Sequence, residues 1–83
     1  MREKLIRSYK CAKYDIDRWY RKVCRSVGED KIENVIECIG CIGKAVVLAQ
    51  MLEFDCDINV KDERVHMEQI KEYLKNDVLK MIV

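Results

Sequence analysis

The 83-residue sequence contains no proline, no threonine and only three glycines. Proline and glycine most often end or bend helices, so their scarcity favours long helices. The longest strongly apolar run, residues 45–49, is far shorter than the ~20 residues that cross a bilayer. The first residues also lack the apolar stretch of a secretory signal. We therefore expect an intracellular protein, cytoplasmic or nuclear, with no membrane association.

Motifs for catalysis are missing as well. The sequence has no Ser-His-Asp combination, no glycine-rich loop for phosphate and no glutamate–histidine metal motif, and His66 is its single histidine. We predict that the protein is not an enzyme, and that it uses no cofactor, metal ion or small-molecule substrate.

The composition is typical of a small folded domain. Hydrophobic residues make up 49% of the chain and charged residues 37%, which excludes disorder and argues against a membrane protein. We predict one domain over residues 1–83. A chain this short buries only roughly 60% of its unfolded surface, so self-association is an expected source of further stability.

Five cysteines are present, and Cys38 and Cys41 form a C-x-x-C pair. At the start of a helix such a pair has a redox-active thiol, and together with Cys56 and His66 it offers chemically suitable zinc ligands. Free cysteine is also a good small core residue. We favour core packing, and both alternatives remain open from the sequence alone.

The clearest structural signal is the spacing of apolar residues near the start of the chain. These positions alternate in steps of four and three, which places them on one side of a helix. They are Leu5, Tyr9, Ala12, Ile16, Trp19, Val23 and Ser26. Gly28 follows as a stop signal, so we predict a first helix over about residues 3–27.

Two further helices are predicted, over about residues 30–54 and 62–82, with Asp62 as the N-cap of the last one. Apolar residues cover more than half the circumference of the middle helix, which indicates that it is central or shared between subunits. Gly40 and Gly43 lie inside it and indicate a close helix crossing or a break. We predict an all-α, three-helix arrangement, with an oligomer interface near Leu48 and Leu52.

An α+β arrangement is the alternative. Residues 35–39 are rich in β-branched side chains, and residues 78–83 have the composition of a closing strand. On that interpretation residues 35–49 resemble the second strand and helix of Alba-type nucleic-acid-binding proteins, and Gly40 to Gly43 resemble the Gly-x-x-Gly turn of KH domains. The resemblance implies binding of RNA or DNA.

Charge is distributed unevenly along the chain. Residues 1–27 contain nine Lys and Arg against three acids, whereas residues 28–83 contain seven against twelve. On the first helix one row lies opposite the apolar stripe, and we call it the basic face. It consists of Arg7, Lys10, Tyr14, Arg18, Arg21 and Arg25.

These features predict a small helical interaction protein, such as a regulator, an inhibitor or an accessory subunit. It would form a homodimer or larger oligomer and contact an acidic partner surface through the basic face, because arginine's planar fork suits carboxylates and phosphates. The alternative is an RNA- or DNA-binding protein with an Alba-like or KH-like fold.

Overall fold

The computed structural model describes residues 2–82, which form three helices joined by two short turns. Helix α1 spans Arg2–Arg25, α2 spans Gly28–Asp55 and α3 spans Lys61–Ile82. No strand occurs within this range. The all-α three-helix prediction is therefore confirmed, and each boundary lies within two residues of the expected one.

The α+β alternative is wrong for the part of the chain that the structure describes. Residues 35–39 lie inside α2, and residues 78–82 form the last turns of α3, while Val83 lies outside the described residues. Both segments are helical because the i, i+3, i+4 spacing of apolar residues continues through them, whereas the alternating pattern of a strand does not.

The turn between α1 and α2 contains only Ser26 and Val27. Val27 is extended, with φ −137° and ψ 158°, and Gly28 has a φ of +66°, a left-handed conformation that glycine adopts without steric cost. The Ser26 hydroxyl donates to the Val23 carbonyl at 3.2 Å and accepts from the Asn34 amide at 3.1 Å. Helix α1 therefore ends at Arg25, and Gly28, which was expected to be its stop signal, is instead the first residue of α2, where its left-handed conformation fits the reversal of the chain.

The turn between α2 and α3 covers residues 56–60. The backbone N–H groups of Cys56 and Ile58 both donate to the Leu52 carbonyl, at 3.2 and 3.1 Å, and so cap the end of α2. Asn59 accepts a hydrogen bond from the backbone N–H of Lys61 at 3.2 Å. The expected N-cap, Asp62, instead lies within the first turn of α3, where its charge favours the helix dipole.

Helix α2 lies at the centre, because α1 and α3 both pack on it while their own backbones do not approach closely along residues 2–82. The core lies along one side of α2, where six side chains are buried: Val35, Cys38, Ile42, Ala45, Ala49 and Leu52. Helix α1 adds Tyr9, Ala12, Ile16 and Val23, and α3 adds Met67 and Leu74. The molecule is accordingly flat and elongated, 42 × 18 × 13 Å.

Ion pairs connect α2 to α3 at both ends of the helix pair. Lys31 Nζ lies 3.5 Å from Asp77 Oδ2, and Arg64 Nε donates to Glu53 Oε1 at 3.3 Å. All four side chains are partly exposed, so each pair contributes at most about 1 kcal/mol. These ion pairs therefore add little to the free energy of unfolding, and their main effect is on how α2 and α3 align.

Helix α2 is long and apolar enough to cross a membrane, judged by length and composition. A mostly buried core helix of a soluble protein passes the same test, whereas 33% of the apolar window of α2 is buried, on the side that forms the core. The expected close crossing at Gly40 and Gly43 does not occur within residues 2–82, because a Cβ atom added at either glycine would meet no atom within 4 Å.

Candidate functional site

The six residues of the basic face all lie on α1, at intervals of three and four residues. All six side chains are exposed, because the opposite side of the helix packs on α2. Tyr14, in the middle of the row, is 69% exposed. The structure therefore brings together every side chain that the sequence assigned to this face.

Most of the cations on this face have no acidic partner. Arg21 pairs with Asp17 one turn earlier, at 3.0 Å and in an exposed position. The remaining four, Arg7, Lys10, Arg18 and Arg25, make no ion pair with any residue between 2 and 82. Their guanidinium and ammonium groups are consequently free to bind carboxylates or phosphates from outside the chain.

Lys13, on the side of α1 that faces α3, behaves differently. Its ammonium donates to Glu63 Oε1, and the Tyr9 hydroxyl donates to the same oxygen at 3.3 Å. Lys13 also lies over the Tyr9 ring, 5.3 Å from its centroid. This cluster joins the first half of α1 to the first turn of α3. Lys13 therefore has an ion pair with another helix, which the cations of the basic face do not have within residues 2–82.

The pKa values of the cluster follow from these contacts. Burial, and then the nearby Glu63 carboxylate, raise the pKa of Tyr9 to about 12. The hydrogen bond from Lys13 lowers the pKa of Glu63, against a smaller opposing effect of burial. At neutral pH the phenol of Tyr9 is therefore neutral and Glu63 is a carboxylate, which suits a structural link.

A groove that the sequence analysis did not identify runs between α1 and α3. One cavity in it has a volume of about 440 Å³ and a largely apolar lining that includes Ile16, Tyr20 and Ile70. A shallower depression next to it shares Tyr20 and Ile70 and extends to Tyr73. The sequence signal was weak, because Tyr20 and Tyr73 lie at the edges of the apolar stripes of their helices.

The cysteines of the C-x-x-C pair lie at the packed side of α2. Cys38 is fully buried, and its thiol lies 3.8 Å from the Ile16 carbonyl. Burial raises the pKa of Cys38 to about 11 and also raises the pKa of Cys41, whereas reactive thiols have lowered values. Across residues 2–82 no three His, Cys, Asp or Glu residues are grouped to hold a metal ion.

The two leucines expected at an oligomer interface lie toward the core. Leu52 is 1% exposed, and Leu48 is partly buried against the core cluster. Leu52 offers no surface to a second copy of the chain, because its side chain is already enclosed by its own helices. Leu52 therefore cannot line an interface on α2, while Leu48 remains partly exposed.

Comparison with known proteins finds no matching family model, no matching curated protein and no matching solved structure. The surfaces of this chain are therefore the basis on which a function is proposed.

Proposed function

We propose that this chain is a small, non-enzymatic interaction protein, a regulator, inhibitor or accessory subunit, that binds an acidic surface of a partner through the basic face of α1 and also self-associates. The observation that supports the first part is the row of five exposed cations, four of which have no acidic partner within residues 2–82. The unpaired arginines of this row present preorganised, bidentate donors to carboxylates.

Other cations of the chain differ from those of the basic face because they pair with acids of a neighbouring helix. Lys13, Lys31 and Arg64 all pair with acids on neighbouring helices. The cations of the basic face contribute little to packing, and exposed substitutions of this kind usually change stability by no more than ~0.5 kcal/mol. The row is therefore available for binding without a cost to the fold.

A protein partner is favoured over nucleic acid. The formal net charge is only +1, so the whole molecule provides little long-range attraction for a polyanion. RNA or DNA remains the second candidate because exposed Tyr14 lies among the arginines, where a phenol ring stacks well on a base. The Alba-like and KH-like folds no longer support that candidate.

The test is the double charge reversal Arg18→Glu/Arg21→Glu. It replaces attraction to an acidic partner by repulsion. Within α1 it adds three like-charge pairs at helical spacing, of position 18 with Asp15, of position 21 with Asp17 and of positions 18 and 21 with each other, and each costs about 0.2–0.5 kcal/mol. New opposite-charge pairs with Lys22 and Arg25 offset part of this cost. We expect the melting temperature to stay within a few degrees and binding to be lost. The measurement is affinity capture from source cells followed by titration of the captured partner.

The matched control is Lys75→Glu/Lys80→Glu, two exposed positions on α3 that give the same change in net charge. It should retain the partner. If the reversal on α1 binds as well as the unchanged protein, or if both double variants lose the partner equally, the basic face is not the binding site.

Salt dependence separates the two partner classes. Five cations that neutralise phosphates of a single strand would give a slope of log affinity against log salt of about −3.5. A protein surface gives a shallower slope. Tyr14→Ala should weaken binding to a fluorescent single-stranded RNA if its ring stacks on bases, and it should leave a purely ionic contact with an acidic peptide nearly unchanged.

A further inference from the structure

Helix α2 has a second apolar side that nothing in the described structure covers. Ile36, Val47 and Phe54 are 59%, 55% and 84% exposed. With Gly40 and Gly43 between them, they recur at helical intervals along one line, which we call the outer face. At about 100° per residue this line lies opposite the buried residues of the same helix. Ile36, at the start of the line, shares a depression with Trp19 of α1 and still remains 59% exposed.

Gly40 and Gly43 lower the stability of α2, and no contact between the helices of residues 2–82 requires a glycine at either position. Each costs roughly 0.5–1 kcal/mol relative to alanine inside a helix. A Cβ atom at either position would meet no atom within 4 Å, so neither glycine serves a close contact with α1 or α3. What they do create is a notch in the outer face, flanked by Ile36 on one side and Val47 on the other.

We propose that the outer face binds a second copy of itself, with the two α2 helices antiparallel and crossing at the notch. The order Ile36, Gly40, Gly43, Val47 is symmetric about its centre. In an antiparallel pair Gly40 therefore meets Gly43 of the second copy, and Ile36 packs on Val47 of the second copy. The glycines let the two backbones approach closely, and the β-branched side chains fill the space on either side.

The charges beside the notch match this arrangement. Glu37 and Lys44 lie seven residues apart on the same edge of the outer face, both exposed, and neither forms an ion pair within residues 2–82. In an antiparallel pair with two-fold symmetry, equivalent edges face each other. Glu37 of each copy is then offset from Lys44 of the other copy by only about 3 Å along the helix axis.

The same charges disfavour a membrane as the occupant. A lipid phase would have to accept Glu37 and Lys44 without partners, which is costly at membrane depth. A second copy of α2 pairs both of them.

The area of the outer face determines how strong the contact between the two copies can be. About 25 residues of helix, roughly 38 Å by 10 Å, cover about 400 Å² per copy, half of the ~800 Å² typical of a stable interface. We therefore expect a reversible dimer.

This inference specifies the self-association in the proposed function and does not depend on the basic face. The test is sedimentation equilibrium of the purified protein from about 5 to 200 µM, with no partner added. We expect a monomer–dimer equilibrium. Gly40→Leu fills the notch and should abolish the dimer, while its melting temperature stays the same or rises. Asn76→Leu, which adds a leucine at an exposed position of α3, should dimerise normally.

Charge exchange tests the antiparallel geometry. Glu37→Lys and Lys44→Glu each place like charges together twice per dimer, and each should weaken dimerisation about tenfold. The double variant Glu37→Lys/Lys44→Glu restores both pairs and should dimerise like the unchanged protein. Circular dichroism confirms that each variant is folded.

Four results would overturn the proposal. The first is a folded monomer at 200 µM. The second is a dimer that tolerates Gly40→Leu, and the third is a loss of dimerisation in the single reversals that the double variant does not rescue. The fourth is flotation of the monomer with neutral phosphatidylcholine vesicles that Phe54→Ser abolishes, which would assign the outer face to a lipid surface.

Discussion

At the scale of single residues, two glycines of this chain have opposite effects on stability. Gly28 has a φ of +66°, where a side chain costs about 1–2 kcal/mol. Gly40 lies in a regular helix with open space around it, where alanine stabilises by roughly 0.5–1 kcal/mol. We expect Gly28→Ala to lower the free energy of unfolding and Gly40→Ala to raise it.

Urea unfolding at low micromolar concentration, where the monomer dominates, measures both effects. Each variant is the control for the other, because the substitution is the same and only the backbone conformation differs. Two changes of the same sign would contradict the assigned conformations.

The hydrogen-bond cluster of Tyr9, Lys13 and Glu63 should make stability depend on alkaline pH. The pKa of Tyr9 is raised from 10 to about 12 in the folded chain, so its contribution is fully present below pH 10 and is lost as the pH rises through about 12. Tyr9→Phe removes this loss and costs about 0.5–1.5 kcal/mol at neutral pH. Thermal melts between pH 7 and 12 would show it.

Glu63 predicts the opposite dependence at acidic pH. Its pKa lies below the usual 4.5, so its contribution is present above that pH and is lost as the pH falls through the lowered value. Glu63→Gln should therefore flatten the acid side of the profile. A variant with an unchanged acid limb would show that the contact with Lys13 is not maintained in solution.

At the scale of helices, α3 is the least anchored element. It has two buried side chains, Met67 and Leu74, whereas α1 has four and α2 has six. Local opening is easiest where few apolar contacts are lost. We expect hydrogen exchange to show the last turns of α3 exchanging first and the centre of α2 last. Slower exchange in residues 75–82 than in residues 38–49 would contradict this order.

At the scale of the whole molecule, the two proposed surfaces lie on different helices. The basic face belongs to α1 and points away from α2, and the outer face belongs to α2 and points away from both neighbours. Variants of the basic face should therefore change partner binding without changing dimerisation, and variants of the outer face should do the reverse. Arg18→Glu/Arg21→Glu is expected to remain a reversible dimer, and Gly40→Leu is expected to bind the acidic partner as a monomer.

The sequence by itself determined the three helices, their approximate ends and the composition of the basic face. These depend on local information: the 4-3 spacing of apolar residues on α1, the lack of proline, and the position of Gly28 at the turn between the first two helices. The opposite side of an amphipathic helix follows from geometry once the apolar side is known. For that reason all six residues assigned to the basic face lie together on the exposed side of α1.

Only the tertiary structure decided which side of α2 is covered. That helix is apolar around most of its circumference, so periodicity alone placed the interface at Leu48 and Leu52, and the structure encloses Leu52 within its own chain. The groove between α1 and α3, the link from Tyr9 to Glu63 and the role of Asn59 at the start of α3 were also beyond sequence reasoning. Each depends on how neighbouring helices are placed, and helical spacing within one segment does not contain that information.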